Sequence, residues 1–159
     1  MKKITRLGIE DLRNKMYTLS TLEQKTIIGG QRVAIRGGYL EEVNGGVFYY
    51  GNNGCSVFFE GVQMSISNII PDYTAYQFNG NIGIEEEWCN SSFTVYDFAH
   101  EYGHYLQQKE MGMLSYLFDV AIPSMYSVST NSEEHSQQEY EQDATMRGNQ
   151  YLSNNTVWQ

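Results

Sequence analysis

The amino-acid sequence predicts an α+β fold, in which a small and mostly antiparallel sheet is followed by two or three helices. Three observations support this prediction. Between residues 39 and 88, short apolar runs alternate with turns that contain glycine and asparagine, which is typical of strands joined by tight connections. From residue 94 onwards, apolar residues repeat at helical spacing instead. The chain of 159 residues has room for one domain with a buried core, and hardly for two.

The strand region contains several runs that are rich in β-branched and aromatic residues. They cover residues 47–50, 56–59, 62–70, 73–78 and 82–88. Within the third run, Val62, Met64 and Ile66 alternate with polar residues, so one face of that strand is expected to be buried. We therefore predict a small sheet over residues 39–88.

A helix is predicted directly after the strand region. Thr94 and Asp97 have the spacing of a capping box, in which each side chain accepts a hydrogen bond from the backbone N–H of the other residue. Lys109 near the end of the pattern and Gly112 beyond it are typical of a helix C-terminus. The apolar stripe of this helix consists of Val95, Ala99, Tyr102 and Leu106.

This helix carries an HExxH motif, formed by His100, Glu101 and His104. Residues four apart lie on the same face of a helix, so both imidazoles can bind one metal ion, and neutral histidine binds zinc at about 2.0–2.1 Å. Glu101 is turned by about 100° from His100, which places its carboxylate beside the metal, where it can accept a proton from an activated water. Two of the three histidines of the chain lie in this motif, which favours a metal site over two unrelated surface histidines.

The net charge of −9 is unevenly distributed along the chain. Residues 1–30 contain six basic and three acidic residues, a net charge of +3, so the remaining residues carry −12. An acidic surface repels phosphate backbones, and we therefore expect no nucleic-acid partner. The sequence contains no run of 18 or more apolar residues, so we also expect no membrane-spanning helix.

Residues 4–28 have a weakly amphipathic helical pattern that ends at two glycines. This region resembles the double-glycine leaders of bacterial peptides that are exported by ABC transporters with a cysteine-peptidase domain. The matching residues are Leu19, Ser20, Glu23, Ile27, Gly29 and Gly30, whereas Gln24 replaces the leucine that usually follows the glutamate. The resemblance implies cleavage after Gly30, so that a leader (1–30) precedes a single domain (31–159). It also implies synthesis in the bacterial cytoplasm and a mature protein that is secreted or periplasmic.

Cys55 and Cys89 are the two cysteines of the chain. In an exported protein they would most simply form a disulfide, which would close a loop of 33 intervening residues. In a cytosolic protein they would be two buried thiols.

A catalytic zinc site needs a third protein ligand. The acidic segment 133–143 offers Glu141, His135 and Glu139, and on the residue pattern alone all three are candidates. His135 or one of the tyrosines is also a candidate donor to the oxyanion that forms during hydrolysis. The alternative for this segment is an acidic helix face that is exposed to solvent and binds no metal.

Two motifs resemble those of small bacterial zincin-like proteins in the gluzincin class of zinc metallopeptidases. They are residues 100–107 followed by Gly112 and the apolar segment with Ile122-Pro123-Ser124, and the pattern Glu141-x-x-Ala144-x-x-x-Gly148. The resemblance implies a zincin-like fold with a zinc ion bound by His100, His104 and Glu141. It implies that Glu101 is the general base. Thr145 stands where that class has an aspartate, which implies a lost or weakened hydrogen bond to a ligand histidine.

In that class, an antiparallel edge strand before the active-site helix pairs with the peptide substrate. Residues 82–87 are expected to form this strand, and Glu85, Glu86 and Glu87 would then favour basic substrates. We therefore expect a secreted zinc peptidase that acts on peptides or proteins. The alternatives are a non-enzymatic exported binding protein on a zincin scaffold, whose metal is structural or lost, and an exported effector whose leader is its main signal.

Overall fold

The computed structural model describes residues 30–68, 74–130 and 135–159. The fold is mixed α/β, with mostly antiparallel sheets followed by helices, as the sequence predicts. The strands are β1 (Arg32–Ile35), β2 (Gly38–Val43), β3 (Gly46–Gly51), β4 (Cys55–Glu60), β5 (Gln63–Ser67), β6 (Ala75–Phe78), β7 (Asn81–Glu85) and β8 (Val157–Trp158). The helices are α1 (Glu86–Ser91), α2 (Val95–Met111), α3 (Met113–Tyr116), α4 (Ile122–Thr130) and α5 (Glu139–Asn155), with a π-helical segment (Leu117–Ala121) between α3 and α4.

Some predicted features fall outside the described part of the chain. These are the helical pattern at residues 4–28, Gly29, and the ends of two predicted strands within residues 69–73. Among the helices of the described residues, none has the length and apolar character needed to cross a membrane.

The strands form two sheets. The first is antiparallel throughout, in the order β1-β2-β3-β4-β8, and its last strand comes from the C-terminus, where Trp158 lies opposite Cys55. The second has the order β5-β7-β6. Strands β6 and β7 form a hairpin through Asn79 and Gly80, whose φ angles of 52° and 78° suit a tight two-residue turn. Strand β5 pairs in parallel with the other side of β7.

Strand β7 corrects two expectations from the sequence. It ends at Glu85, whose side chain accepts hydrogen bonds from the backbone N–H groups of Glu87 and Trp88, both at 2.7 Å, and thereby caps α1. Glu86 and Glu87 are therefore helical. Because β7 is the central strand of its sheet, the expectation that residues 82–87 form a substrate-binding edge is wrong. The expected preference for basic substrates rested on that edge and loses its basis.

The core is built from both sheets together with α2 and α5. Phe59 of β4 is fully buried, and its ring centroid lies 4.9 Å from that of Phe98 and 5.1 Å from that of Tyr102, both on α2. Tyr151 of α5 stacks on the same ring at 5.8 Å and donates its hydroxyl to the carbonyl oxygen of Phe58 at 2.7 Å. These contacts hold both helices against β4.

Helix α2 begins at the predicted capping box, which is confirmed. The Asp97 carboxylate accepts a hydrogen bond from the N–H of Thr94 at 2.7 Å, and the Thr94 hydroxyl oxygen accepts one from the N–H of Asp97 at 3.4 Å. Two of the otherwise unpaired N–H groups at the helix start are thereby satisfied. The helix ends at Gly112, which is its C-cap.

Helices α2 and α5 approach each other closely because a glycine lies at each of two crossing points. A Cβ atom at Gly103 would lie 1.9 Å from the carbonyl oxygen of Ala144, and one at Gly148 would lie 1.9 Å from the carbonyl oxygen of Ala99. A glycine is therefore required at both positions. This approach brings the HExxH face of α2 against the first turn of α5, which carries Glu141.

Cys55 and Cys89 are free thiols, so the disulfide expected for an exported protein is not formed. Cys55 lies on β4, whereas the Sγ atom of Cys89 lies 3.9 Å from the carbonyl oxygen of Ala34 on β1. Strands β1 and β4 are separated by β2 and β3, which corresponds to roughly 14 Å across the sheet. A disulfide requires Cα atoms within about 7 Å of each other, and this arrangement does not provide that.

Candidate metal centre

Three side chains from α2 and α5 converge where the two helices cross. The Nε2 atoms of His100 and His104 lie 3.2 Å and 3.1 Å from Oε2 of Glu141. One ligand atom from each residue lies within 4.8 Å of the other two, an arrangement that can hold a metal ion. The structure thus brings the HExxH histidines together with the glutamate that the gluzincin resemblance implies.

The donor set fits a zinc ion. Two imidazole nitrogens and one carboxylate are a known ligand set of catalytic zinc sites, and tetrahedral bonds of about 2.0–2.1 Å place neighbouring ligand atoms roughly 3.3 Å apart. The observed separations of 3.1 Å and 3.2 Å between the Nε2 atoms and Oε2 are close to that value. These two separations are compatible with ligand atoms that share one ion.

The two other candidate ligands occupy different positions. The Nε2 atom of His135 lies 3.4 Å from Oε1 of Glu141, and its Nδ1 atom lies 2.6 Å from the hydroxyl of Ser127. Within the part of the chain that the structure describes, His135 does not belong to the group that can hold a metal. Glu139 is exposed at the start of α5. The geometry therefore favours Glu141 as the third ligand and leaves His135 beside the site.

Thr145 orients His100. Its hydroxyl oxygen lies 2.9 Å from Nδ1 of His100, and the hydroxyl donates to the carbonyl oxygen of Glu141, also at 2.9 Å. Because the hydroxyl proton is engaged, its oxygen accepts the Nδ1–H of His100, which leaves Nε2 for a metal. The replacement of the aspartate was expected to lose or weaken this hydrogen bond. The structure shows that the threonine makes it.

Gln107 and Ser124 orient the other two ligands, and the sequence analysis identified neither as an orienting residue. Oε1 of Gln107 lies 2.8 Å from Nδ1 of His104, and the Ser124 hydroxyl donates to Oε1 of Glu141 at 2.7 Å. Gln107 follows His104 by three residues on one helix, a spacing that does indicate contact. Ser124 reaches Glu141 only because α4 folds over the site, and no local pattern predicts that.

The electrostatics of the site favour an ionised Glu141. Burial alone would raise the pKa of its carboxyl. Hydrogen bonds from His100, His104 and Ser124 have the larger, opposite effect and hold this pKa well below its usual range. Burial would lower the pKa of His104, but the neighbouring carboxylates of Glu141 and Glu101 outweigh this effect and raise it. The site therefore holds a buried negative charge that a cation, either an imidazolium or a metal ion, can balance.

Glu101 is buried beside the three ligand residues, with 8% of its surface exposed. The pKa of its carboxyl is raised, mainly because of burial. The charges of the two HExxH histidines lower this pKa and the charge of Glu141 raises it, and neither effect cancels that of burial. In the metal-free site this carboxyl is therefore easier to protonate than an exposed glutamate. The ring of Tyr116 lies close by, and its centroid is 6.4 Å from that of the His104 ring. The pKa of the Tyr116 hydroxyl is raised, mainly by burial and to a smaller extent by the charges of Glu101 and Glu141.

The centre is closed on most sides. The Glu141 side chain is only 2% exposed, whereas the side chains of His100 and His135 are 28% and 24% exposed. Water and small molecules can therefore approach from the side on which these two imidazoles lie.

No family model matches this chain, and no curated protein or solved structure matches it either.

Proposed function

We propose that this protein is a zinc-dependent peptidase with a gluzincin-like centre. His100, His104 and Glu141 hold the zinc ion, and Glu101 is the general base. The observation that carries the proposal is the convergence of three ligand atoms within 4.8 Å of one another, with the Glu101 carboxyl buried beside them. An HExxH helix that meets a glutamate from a later helix also supports a zincin-like fold.

The residues of the centre have separate tasks in peptide hydrolysis. Zinc bound there supplies a Lewis acid that polarises the scissile carbonyl and lowers the pKa of water. Glu101 accepts a proton from the attacking water on its carboxylate and then donates it to the nitrogen of the leaving amine. His135, or the hydroxyl of Tyr116, donates a hydrogen bond to the oxyanion.

The peptide substrate is expected to add to the edge of β6 that pairs with no other strand of the described residues. This strand is at the edge of the three-stranded sheet, and the side-chain amide of its Gln77 donates to Oε1 of Gln108 at 2.7 Å. Gln108 follows His104 by four residues and so lies on the same face of α2. An extended peptide paired with β6 would therefore run along the metal-binding face of the helix.

Residues 1–30 are proposed to be a double-glycine leader, removed after Gly30 by an ABC exporter with a cysteine-peptidase domain. Gly30 is exposed and precedes β1, so cleavage there would leave every described strand and helix intact. The mature protein would be secreted or periplasmic. Mass spectrometry of protein recovered outside the cytoplasm tests this, with Gln31 as the expected first residue. An exported chain that retains residues 1–30 would contradict it.

A non-enzymatic exported binding or effector protein on the same scaffold is the second candidate. The burial of the centre favours it: Glu101, His104 and Glu141 are all nearly inaccessible, and Ser124 of α4 covers Glu141. A metal bound there would then stabilise the fold or the surface that binds a partner, and hydrolysis would be absent.

Zinc content and peptide-library hydrolysis, measured on the wild type and three variants, test the main proposal. We expect about one zinc per chain in the wild type, in Glu101→Gln and in His135→Ala, and loss of zinc in Glu141→Ala. Glu101→Gln should keep the metal but lower kcat by about 10²–10⁴-fold, because only the general base is removed.

Two outcomes would change the assignment. Zinc lost with His135→Ala but retained with Glu141→Ala would contradict the choice of third ligand. Zinc bound by the wild type without hydrolysis of any library peptide would support the non-enzymatic candidate instead.

A further inference from the structure

The Gln107 amide has one possible orientation. Its Nε2 atom lies 2.8 Å from the carbonyl oxygen of Tyr140 and 2.8 Å from Oδ2 of Asp143, both on α5. Both partners are acceptors, so the amide nitrogen must face them and the amide oxygen must face Nδ1 of His104, at 2.8 Å. His104 therefore keeps its proton on Nδ1 and directs Nε2 towards Glu141.

Asp143 is in turn held by a cation. Its Oδ2 atom accepts a hydrogen bond from Nε of Arg147 at 2.6 Å, and Arg147 also pairs with Glu110 at the end of α2. Oδ2 of Asp143 thus accepts hydrogen bonds from both the Gln107 amide and the Arg147 guanidinium, which together fix the orientation of the carboxylate. The chain of contacts runs from the surface to His104 and joins α2 to α5.

We propose that Asp143 and Arg147 are positioning residues of the metal centre, which act through Gln107 on His104. The inference rests on the proposed function, since it assigns the role of a ligand to His104. Asp143 fixes the Gln107 amide, and Arg147 fixes the Asp143 carboxylate. Partners that orient a ligand histidine contribute about 10–100-fold to metal affinity.

A purely structural role for these ion pairs predicts a different result. Glu110 is 66% exposed and Arg147 is 32% exposed, and ion pairs at such exposure contribute little to folding. If the pairs merely joined the two helices, removing them would change thermal stability slightly and leave zinc affinity as it was. Zinc affinity is therefore the measurement that separates the two roles.

The test is a chelator competition for zinc with the full chain. Gln107→Leu should weaken zinc binding by about 10–100-fold. The zinc affinity of Asp143→Ala should lie between those of Gln107→Leu and the wild type. The zinc affinity of Arg147→Ala should be closer to that of the wild type. Gln142→Ala is the matched control, because Gln142 is exposed on the same turn of α5 and its side chain bonds only to the carbonyl oxygen of Gln137 among the described contacts.

The double variant Gln107→Leu/Asp143→Ala gives the most specific result. Because Asp143 acts through Gln107, the double variant should bind zinc no more weakly than Gln107→Leu alone. A second readout is the imidazole ¹⁵N spectrum of the zinc-bound protein, in which the His104 Nδ1–H signal should exchange with solvent faster in both single variants. If Asp143→Ala does not fold, Asp143→Asn is measured instead; because asparagine keeps an acceptor for Gln107 and loses only the charge that pairs with Arg147, its zinc affinity should match that of Arg147→Ala, and a zinc affinity equal to that of Gln107→Leu would contradict the inference.

Wild-type zinc affinity in Gln107→Leu or in Asp143→Ala would overturn the inference, as would additive losses in the double variant. Failure of the proposed function has a different signature. Graded losses of zinc affinity in a protein that hydrolyses no peptide would refute the peptidase and leave this inference intact. A wild type that binds no zinc would overturn both.

Discussion

Replacing Gly148 by alanine tests whether the close approach of α2 and α5 builds the metal centre. The new Cβ atom would lie 1.9 Å from the carbonyl oxygen of Ala99 and 3.1 Å from the backbone nitrogen of His100. Contacts of Cβ atoms shorter than 3.0 Å are essentially never found in proteins. The two helices must therefore separate locally by at least the difference between 3.0 Å and 1.9 Å.

A separation of this size exceeds what the centre tolerates. Glu141 lies two turns before Gly148 on α5, so moving the helix draws its carboxylate away from the His100 and His104 nitrogens. Metal–ligand distances vary by only about 0.2 Å, and we expect zinc affinity to fall on the order of 100-fold, equivalent to about 2.7 kcal/mol. Overpacking should also lower the free energy of unfolding by about 1–3 kcal/mol. The better helix propensity of alanine offsets about 1 kcal/mol of this loss.

Chelator competition and urea unfolding of the metal-free protein measure the two effects separately. Ala144→Gly is the control, because it removes a methyl group at the other crossing point without forcing the helices apart. It should lower the free energy of unfolding by about 1–2 kcal/mol and keep its zinc. Wild-type zinc affinity in Gly148→Ala, together with a higher unfolding free energy from helix propensity, would refute the reasoning.

Three further predictions concern the core. The Cys89 thiol should react slowly at pH 8, because burial raises its pKa to about 11, and the partly exposed Cys55 should be labelled first; equal rates would contradict this. The folded state favours the neutral thiol, so the contribution of Cys89 to stability is complete below its ordinary pKa of 9.0 and is lost as the pH rises towards 11. Cys89→Ala should therefore lose less stability than the wild type at alkaline pH. Phe59→Ala should lower the free energy of unfolding in urea by about 3–5 kcal/mol, since three aromatic rings pack on this side chain. A loss below about 1 kcal/mol would show that the surrounding core refills the space.

The features that the sequence by itself determined are local ones. The capping box at Thr94, the helix that follows it and the pairing of His100 with His104 on one helix face depend on residues within a few positions of one another. Backbone hydrogen bonding and side-chain spacing within a single helix are sufficient to specify them. The alternation of strands and turns was predictable for the same reason, although the pairing order of the strands was not.

The tertiary structure decided the features that depend on segments distant in the chain. The convergence of Glu141 with the histidines, and the position of His135 to one side, depend on the crossing of α2 and α5, which Gly103 and Gly148 permit. The same crossing brings Thr145 to His100 and so supplies a hydrogen bond that the resemblance implied to be lost or weakened. Strand β7 became a central strand because β5 pairs with its second edge. Which segments meet is set by the burial of the whole core, and no local spacing of residues encodes it.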